Sequence, residues 1–151
     1  MSRVDYADLA ARIASLTAGE TDPVALMATI ACEIHWSDNR FDWTGFYRNM
    51  GDKTLKIGPY QGSHGCLVIP FDRGVCGAAA RTGTAQIVED VDSFPGHIAC
   101  ASSTRSELVL PVFRKGALLA VLDIDSNQPA AFTQDDADAL AVILAQSFDR
   151  P

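Results

Sequence analysis

Apolar positions recur at helical spacing at both ends of this chain and at strand spacing between them. Leu9, Ile13 and Leu16 follow the 3.6-residue period near the N-terminus. Thr21-Asp22-Pro23 then reads as a helix start, with Asp22 as N-cap and Pro23 as first helical residue, where its missing N–H costs nothing. The following helix puts Val24, Met27, Ala31 and Ile34 on one face, with Cys32 beside that stripe as a packing residue. From Asp42 the pattern turns to strands. Trp43 to Arg48 and Thr54 to Ile57 form a hairpin around Asn49-Met50-Gly51-Asp52, and another strand runs through Cys66 to Ile69. Val75 to Arg81 is a short helix stopped by Gly83, followed by a strand at Gln86 to Val88. Asp90 to Cys100 is loop, with Pro95-Gly96 as its turn signal. Glu107 to Phe113 and Leu118 to Asp125 are two strong strands around Arg114-Lys115-Gly116. The last helix begins at Thr133, capped by its side chain with Asp136 in the first turn, and carries Ala137, Leu140, Ala141, Leu144 and Phe148 inward.

Helices at both ends of a mostly antiparallel sheet predict an α+β architecture. The 151 residues fit one domain, 1–151, with N-terminal helices over about 3–36, sheet and loops over about 40–126, and a C-terminal helix over about 133–148. A net charge of −7 argues against nucleic acid and anionic membrane as partners, since both need a basic surface. The first residues lack an apolar signal-peptide core, and the longest apolar run, Ala117 to Leu122, is too short to span a bilayer. The expected location is the cytoplasm. There a static disulfide is not expected, and a disulfide that does form is a catalytic or sensing state.

Two groups of residues carry candidate chemistry. Asp123 and Asp125 alternate with apolar residues, so they share one face of their strand. Glu107 stands on the preceding strand. A three-residue loop at Arg114-Lys115-Gly116 sets Glu107 opposite Asp123 or Asp125, whereas Lys115-Gly116 alone as the turn sends it to the other face. The three-residue loop is the expectation. Clustered, partly buried carboxylates repel, so at least one should hold a proton near neutral pH, and together they attract a cation such as a substrate ammonium. A solvated acidic strand face and a divalent-ion site are the other readings of the same residues.

The second group is cysteine. Cys66, Cys76 and Cys100 each end a glycine-containing loop, in Gly65-Cys66, Gly74-Val75-Cys76-Gly77 and Gly96-His97-Ile98-Ala99-Cys100. Taken alone, they are open to three readings: buried small hydrophobes, zinc ligands together with His64 and His97, or redox thiols.

Several stretches, in order, carry a family signature: Trp43-Thr-Gly-Phe-Tyr47, Gly62-Ser-His-Gly-Cys66, Ile69-Pro-Phe-Asp-Arg-Gly-Val-Cys-Gly77, Gly96-His-Ile-Ala-Cys100, Ser106-Glu-Leu-Val-Leu-Pro111 and Val121-Leu-Asp-Ile-Asp-Ser126. From about residue 40 to the final helix the chain resembles the free methionine-(R)-sulfoxide reductases, which are stand-alone GAF-domain enzymes. The resemblance implies a GAF-like sheet with terminal helices packed on it. It implies Cys100 as nucleophile, Cys66 as resolving cysteine and Cys76 as a second thiol that resolves or relays. Glu107, Asp123 and Asp125 match substrate-binding acids, and Trp43 and Tyr47 the aromatic residues lining the pocket. No bound cofactor and no metal are implied; the substrate is free methionine sulfoxide and the external dithiol is thioredoxin. Homodimerisation through the terminal helices is a further expectation of the resemblance. The chain departs from the family pattern at Gly65, Leu67, Asp72 and Ala101, where Ala, Arg, Gly and Asp are usual. The competing function is a GAF-type small-molecule or redox sensor without turnover.

Such a reaction needs a soft nucleophile at sulfur, which a thiolate supplies, and a proton for the departing oxygen, which a carboxyl of raised pKa supplies. Three carboxylates also suit a free amino acid, whose ammonium a peptide-bound methionine lacks. An aromatic wall from Trp43 favours the methyl group and the polarisable sulfur.

Overall fold

The computed structural model describes residues 4–98 and 100–150. Residues 1–3, Ala99 within the Gly96 to Cys100 motif, and Pro151 lie outside the described residues. Two helices, α1 (Tyr6–Leu16) and α2 (Pro23–His35), precede strands β1 (Trp43–Asn49), β2 (Thr54–Gln61) and β3 (Val68–Pro70). Helix α3 (Gly74–Thr82) and strand β4 (Gln86–Val88) follow, then β5 (Ser106–Arg114), β6 (Ala117–Ser126) and α4 (Gln134–Phe148). The strands make one six-stranded antiparallel sheet in the order β3-β2-β1-β6-β5-β4. This is the predicted α+β arrangement.

Local chemistry sets the helix ends. Asp22 accepts from the Val24 N–H beside Pro23, and Thr133 and Asp136 close a reciprocal capping box on α4. Gly83 ends α3 in the left-handed region, at φ 68°. Three inward assignments are corrected. Leu16, Val24 and Ala141 are exposed, whereas Leu26, Ile30 and Ile143 are buried. Leu16 and Val24 lie in the end turns of their helices, and Ala141 lies beside the buried stripe of α4, where the sheet does not cover them.

The sheet separates two cores. On one face Phe46, Leu108, Leu110, Val112, Leu122 and Ile124 pack against α1, α2 and α4. On the other, Trp43, Tyr47, Leu55, Val109 and Val121 pack with Val75, Cys76 and Ala79 of α3. Each strand alternates between them, as the two-residue period requires.

Two irregularities place side chains differently from the sequence reading. The β5–β6 turn is Lys115-Gly116 alone, both at positive φ (53° and 78°), which is the geometry of a tight two-residue hairpin turn. That turn by itself would have sent Glu107 to the wrong face. The register then shifts: Phe113 pairs with Leu118 but Val112 pairs with Ala120, leaving Leu119 as an extra, bulged residue. The bulge reverses the effect of the short turn, and Glu107 pairs with Asp125. The expected loop is therefore wrong, and the expected cluster forms by another route. In β2, Gly58-Pro59 does not end the strand. It falls at a register shift opposite Phe46, where proline's missing N–H is tolerated, and pairing resumes at Tyr60. The strand expected through Cys66 begins only at Val68, so Cys66 lies in loop.

Candidate active site

The site is built on the α3 side of the sheet. Trp43 pairs with Asp125 and Gly45 with Asp123 across β1 and β6, and Glu107 pairs with Asp125 across β5 and β6. Alternation then presents Trp43, Tyr47, Glu107, Asp123 and Asp125 on one surface. Gly45 lies between the two aromatics, and a side chain there would collide with the Trp43 ring. The indole stacks on Tyr47 and on Tyr60, at centroid distances of 5.8 and 5.3 Å, and donates its N–H to the Ser63 carbonyl at 2.6 Å. The aromatic wall is thereby locked before any ligand arrives. Gly65 packs onto this wall: a methyl group there would lie 2.8 Å from the Tyr47 hydroxyl oxygen and 2.9 Å from the Trp43 ring. The Gly65 departure thus matches a close approach of loop and wall.

These residues line a cavity of about 280 Å³ together with Gly74 and Val75 at the start of α3 and with His97, Ile98, Cys100 and Thr104 of the loop before β5. Among the described residues lining it, none is Lys or Arg. Its floor is acidic. Glu107 and Asp123 are buried, and Asp125 keeps some exposed surface while its Oδ1 is buried. Oδ1 of Asp123 and Oδ1 of Asp125 have no hydrogen-bond partner. Burial, then the neighbouring Asp125 and Glu107, push the Asp123 carboxyl well above the usual range. Burial and Glu107 do the same to Asp125. Both carboxyls thus favour their protonated forms more than free carboxyls do, and their two unpartnered oxygens are open acceptors for a cation.

The three loop cysteines meet at this cavity but occupy different environments. Cys66 and Cys100 form a disulfide across 34 residues, with Cα atoms 5.3 Å apart. Both are partly exposed. Cys100 lines the cavity, as do Ser63, His64 and Gly65, the three residues before Cys66. Cys76 is free, buried in the first turn of α3, with its thiol 3.9 Å from Oε2 of Glu107. Burial, then Asp123, Glu107 and Asp125, raise its pKa strongly, so it remains a protonated thiol. Cys32 is free and half-buried on α2, away from the cavity.

His97 lines the cavity with Nε2 3.9 Å from Oε1 of Glu107, and His64 lines its exposed edge. With Cys66 and Cys100 joined to each other, the zinc arrangement of those histidines and cysteines is not formed. Arg73 is exposed and does not line the cavity. It precedes α3 without capping it through its side chain, and Gly74 and Val75 at the start of that helix line the cavity. Sequence reasoning missed Asp42, Ser63, Thr104 and Asn127, which also line the site. They are ordinary loop residues, and only the tertiary fold gathers them.

A GAF-domain family profile matches residues 19–147. A free methionine-R-sulfoxide reductase of Escherichia coli is 42% identical over 141 residues, spanning 93% of this chain and 85% of that protein. The chain belongs to the free methionine-R-sulfoxide reductase family. Solved structures of the family agree. The enzyme of Neisseria meningitidis, in complex with its substrate, is 40% identical, with a TM-score of 0.88 over 98% of this chain and 93% of that one. The reduced form of the Staphylococcus aureus member is 34% identical, with a TM-score of 0.90 over 95% and 92%. The six-stranded sheet with helices at both ends is the family's GAF fold, and most residues lining the cavity come from the stretches that carry the family resemblance. Among the described residues no helix is long and apolar enough to cross a membrane.

Proposed function

We propose that this chain is a cytoplasmic oxidoreductase, acting as one GAF domain over its whole length, that reduces free methionine-(R)-sulfoxide to methionine. The observation that carries the reading is a cysteine pair able to close a disulfide at the edge of a cavity floored by unpartnered carboxyls of raised pKa. Trp43 and Tyr47 pack the methyl and sulfur end of the substrate. The ammonium meets the acidic floor, and the uncapped start of α3 receives the carboxylate. Asp123, Asp125 and Glu107 therefore select a free amino acid over a residue in a peptide.

In the reductive step the Cys100 thiolate attacks the sulfoxide sulfur. The proton held between Asp123 and Asp125 goes to the sulfoxide oxygen, which then transfers to sulfur of Cys100. Methionine leaves, and Cys100 is a sulfenic acid. The Cys66 thiol attacks that sulfur, the S–O bond breaks, and water departs as the Cys66–Cys100 disulfide forms. An external dithiol, thioredoxin, takes over the disulfide and restores both thiols. Cys66 is favoured over Cys76 as resolver because it is the partner joined to Cys100 and because Cys76 is held as a neutral thiol. Cys76 instead donates toward Glu107 and helps hold the acidic floor in place.

The test is release of methionine from each sulfoxide epimer, with dithiothreitol or thioredoxin as reductant. Turnover of the R epimer and not the S epimer is expected. Binding without turnover points to a sensor, and no release from the R epimer defeats the proposal.

A further inference from the structure

Beside its proposed chemistry, the cavity has the makings of a site for a different cation. Among the described residues, Cys76, Glu107 and Asp123 form the one group of His, Cys, Asp and Glu side chains whose donor atoms all lie within 4.8 Å of one another. All three are buried. Tetrahedral zinc holds its donors about 3.5 Å apart, so small side-chain rotations close the set. A second observation points to a ligand. Oδ1 of Asp123 and Oδ1 of the adjacent Asp125 are buried without any hydrogen-bond donor, in a cavity whose described lining holds no Lys or Arg. Buried acceptors of this kind call for a cation. Either an ammonium, a proton or a metal ion can answer.

We propose that Cys76, Glu107 and Asp123 form a zinc-binding site that is exchangeable rather than structural. One thiolate and two carboxylates suit a borderline-soft ion such as Zn²⁺ over Mg²⁺ or Ca²⁺, which prefer oxygen alone. Three protein donors facing an open cavity leave the fourth position to water. Binding displaces to solvent both the Cys76 proton and the proton held between Asp123 and Asp125, and leaves every oxidation state unchanged. The Cys66–Cys100 disulfide takes no part, so the site exists in the oxidised form of the protein. An ion held there fills the place of the substrate ammonium, a consequence that rests on the function proposed above; the binding itself does not.

The disulfide form gives a clean test, because its free cysteines are Cys32 and Cys76. Metal-free, oxidised protein titrated with Co²⁺ should take up one equivalent and develop a thiolate-to-cobalt charge-transfer band, which Zn²⁺ then bleaches. Cys32→Ala should keep the band and Cys76→Ala should abolish it. Asp123→Asn preserves shape while removing a donor charge, and should weaken Zn²⁺ binding at least about a hundredfold, more than loss of an outer contact does. Absence of the band from the unsubstituted chain, its survival in Cys76→Ala, or unchanged Zn²⁺ affinity in Asp123→Asn would each overturn the site.

Discussion

On the helical side of the sheet, Asp38 and Asp136 close on a single guanidinium, whereas on the cavity side Glu107, Asp123 and Asp125 meet no Lys or Arg among the described residues lining the cavity. Arg40 donates to Asp38 at 2.9 Å, to Asp136 at 3.0 Å and to the Ala131 carbonyl at 2.8 Å. The Tyr6 hydroxyl adds a bond to Asp136 at 2.7 Å. Burial raises the Asp136 carboxyl, but hydrogen bonds from Arg40, Tyr6 and Thr133 outweigh it and hold the group below the usual range. On Asp123 and Asp125 burial acts with no cation to oppose it, and only the hydrogen bond with Asp123 draws Asp125 the other way. Acidic side chains of low exposure thus end as a paired clamp in one place and as an unneutralised cavity floor in the other. The difference lies in whether the chain itself supplies the partners.

Breaking the clamp should have the largest effect. Arg40→Met leaves Asp38 and Asp136 buried without their cation, and should cost about 3–5 kcal/mol in urea denaturation. The remaining folded protein should keep its kcat, since Arg40 does not line the cavity. A loss below about 1 kcal/mol would show that the two clusters are not built differently.

Asp123→Asn should act in the reverse sense. Removing the shared proton should lower kcat/KM roughly a hundredfold or more. The same change removes a buried acid without a partner, so the substrate-free fold should gain about 1 kcal/mol, read as a higher Tm. Loss of both activity and stability would place Asp123 in the clamp class.

The smallest effect is a pH trend. A carboxyl raised in the folded state binds its proton more tightly than in the unfolded chain. The stability from Asp123 and Asp125 is therefore full below the unfolded pKa of about 4 and is lost as pH rises through their raised folded values. For Asp136, held low, stability is present above the unfolded pKa and is lost as pH falls through the folded value. Thermal melts across pH should show the neutral-side decline flattened in Asp123→Asn and the acid-side loss reduced in Arg40→Met. Parallel profiles for the two variants would contradict the contrast.

Much of this was legible in the chain. Asp22-Pro23 and Thr133 with Asp136 announced two helices because capping is local chemistry. Asp123 and Asp125 announced a shared face because the strand period is two. The bulge at Leu119 was not legible, since Leu118 to Leu122 is apolar throughout and gives alternation nothing to grip. The strand expected over Thr54 to Ile57 runs on through Gly58-Pro59 to Gln61 for the converse reason: the sheet absorbs a local break. The unpartnered state of Asp123 Oδ1 depends on what does not come near it, which only the folded structure settles.

The central claim is that Cys100 and Cys66 carry the redox chemistry of a free methionine sulfoxide, with Cys76 held apart as a neutral thiol. Fully reduced protein exposed to excess free methionine-(R)-sulfoxide without reductant should be mapped by mass spectrometry alongside the methionine released. One methionine per chain, a Cys66–Cys100 disulfide and an unmodified Cys76 are predicted. A disulfide joining Cys76 to Cys100, or methionine release with all three thiols intact, would contradict it.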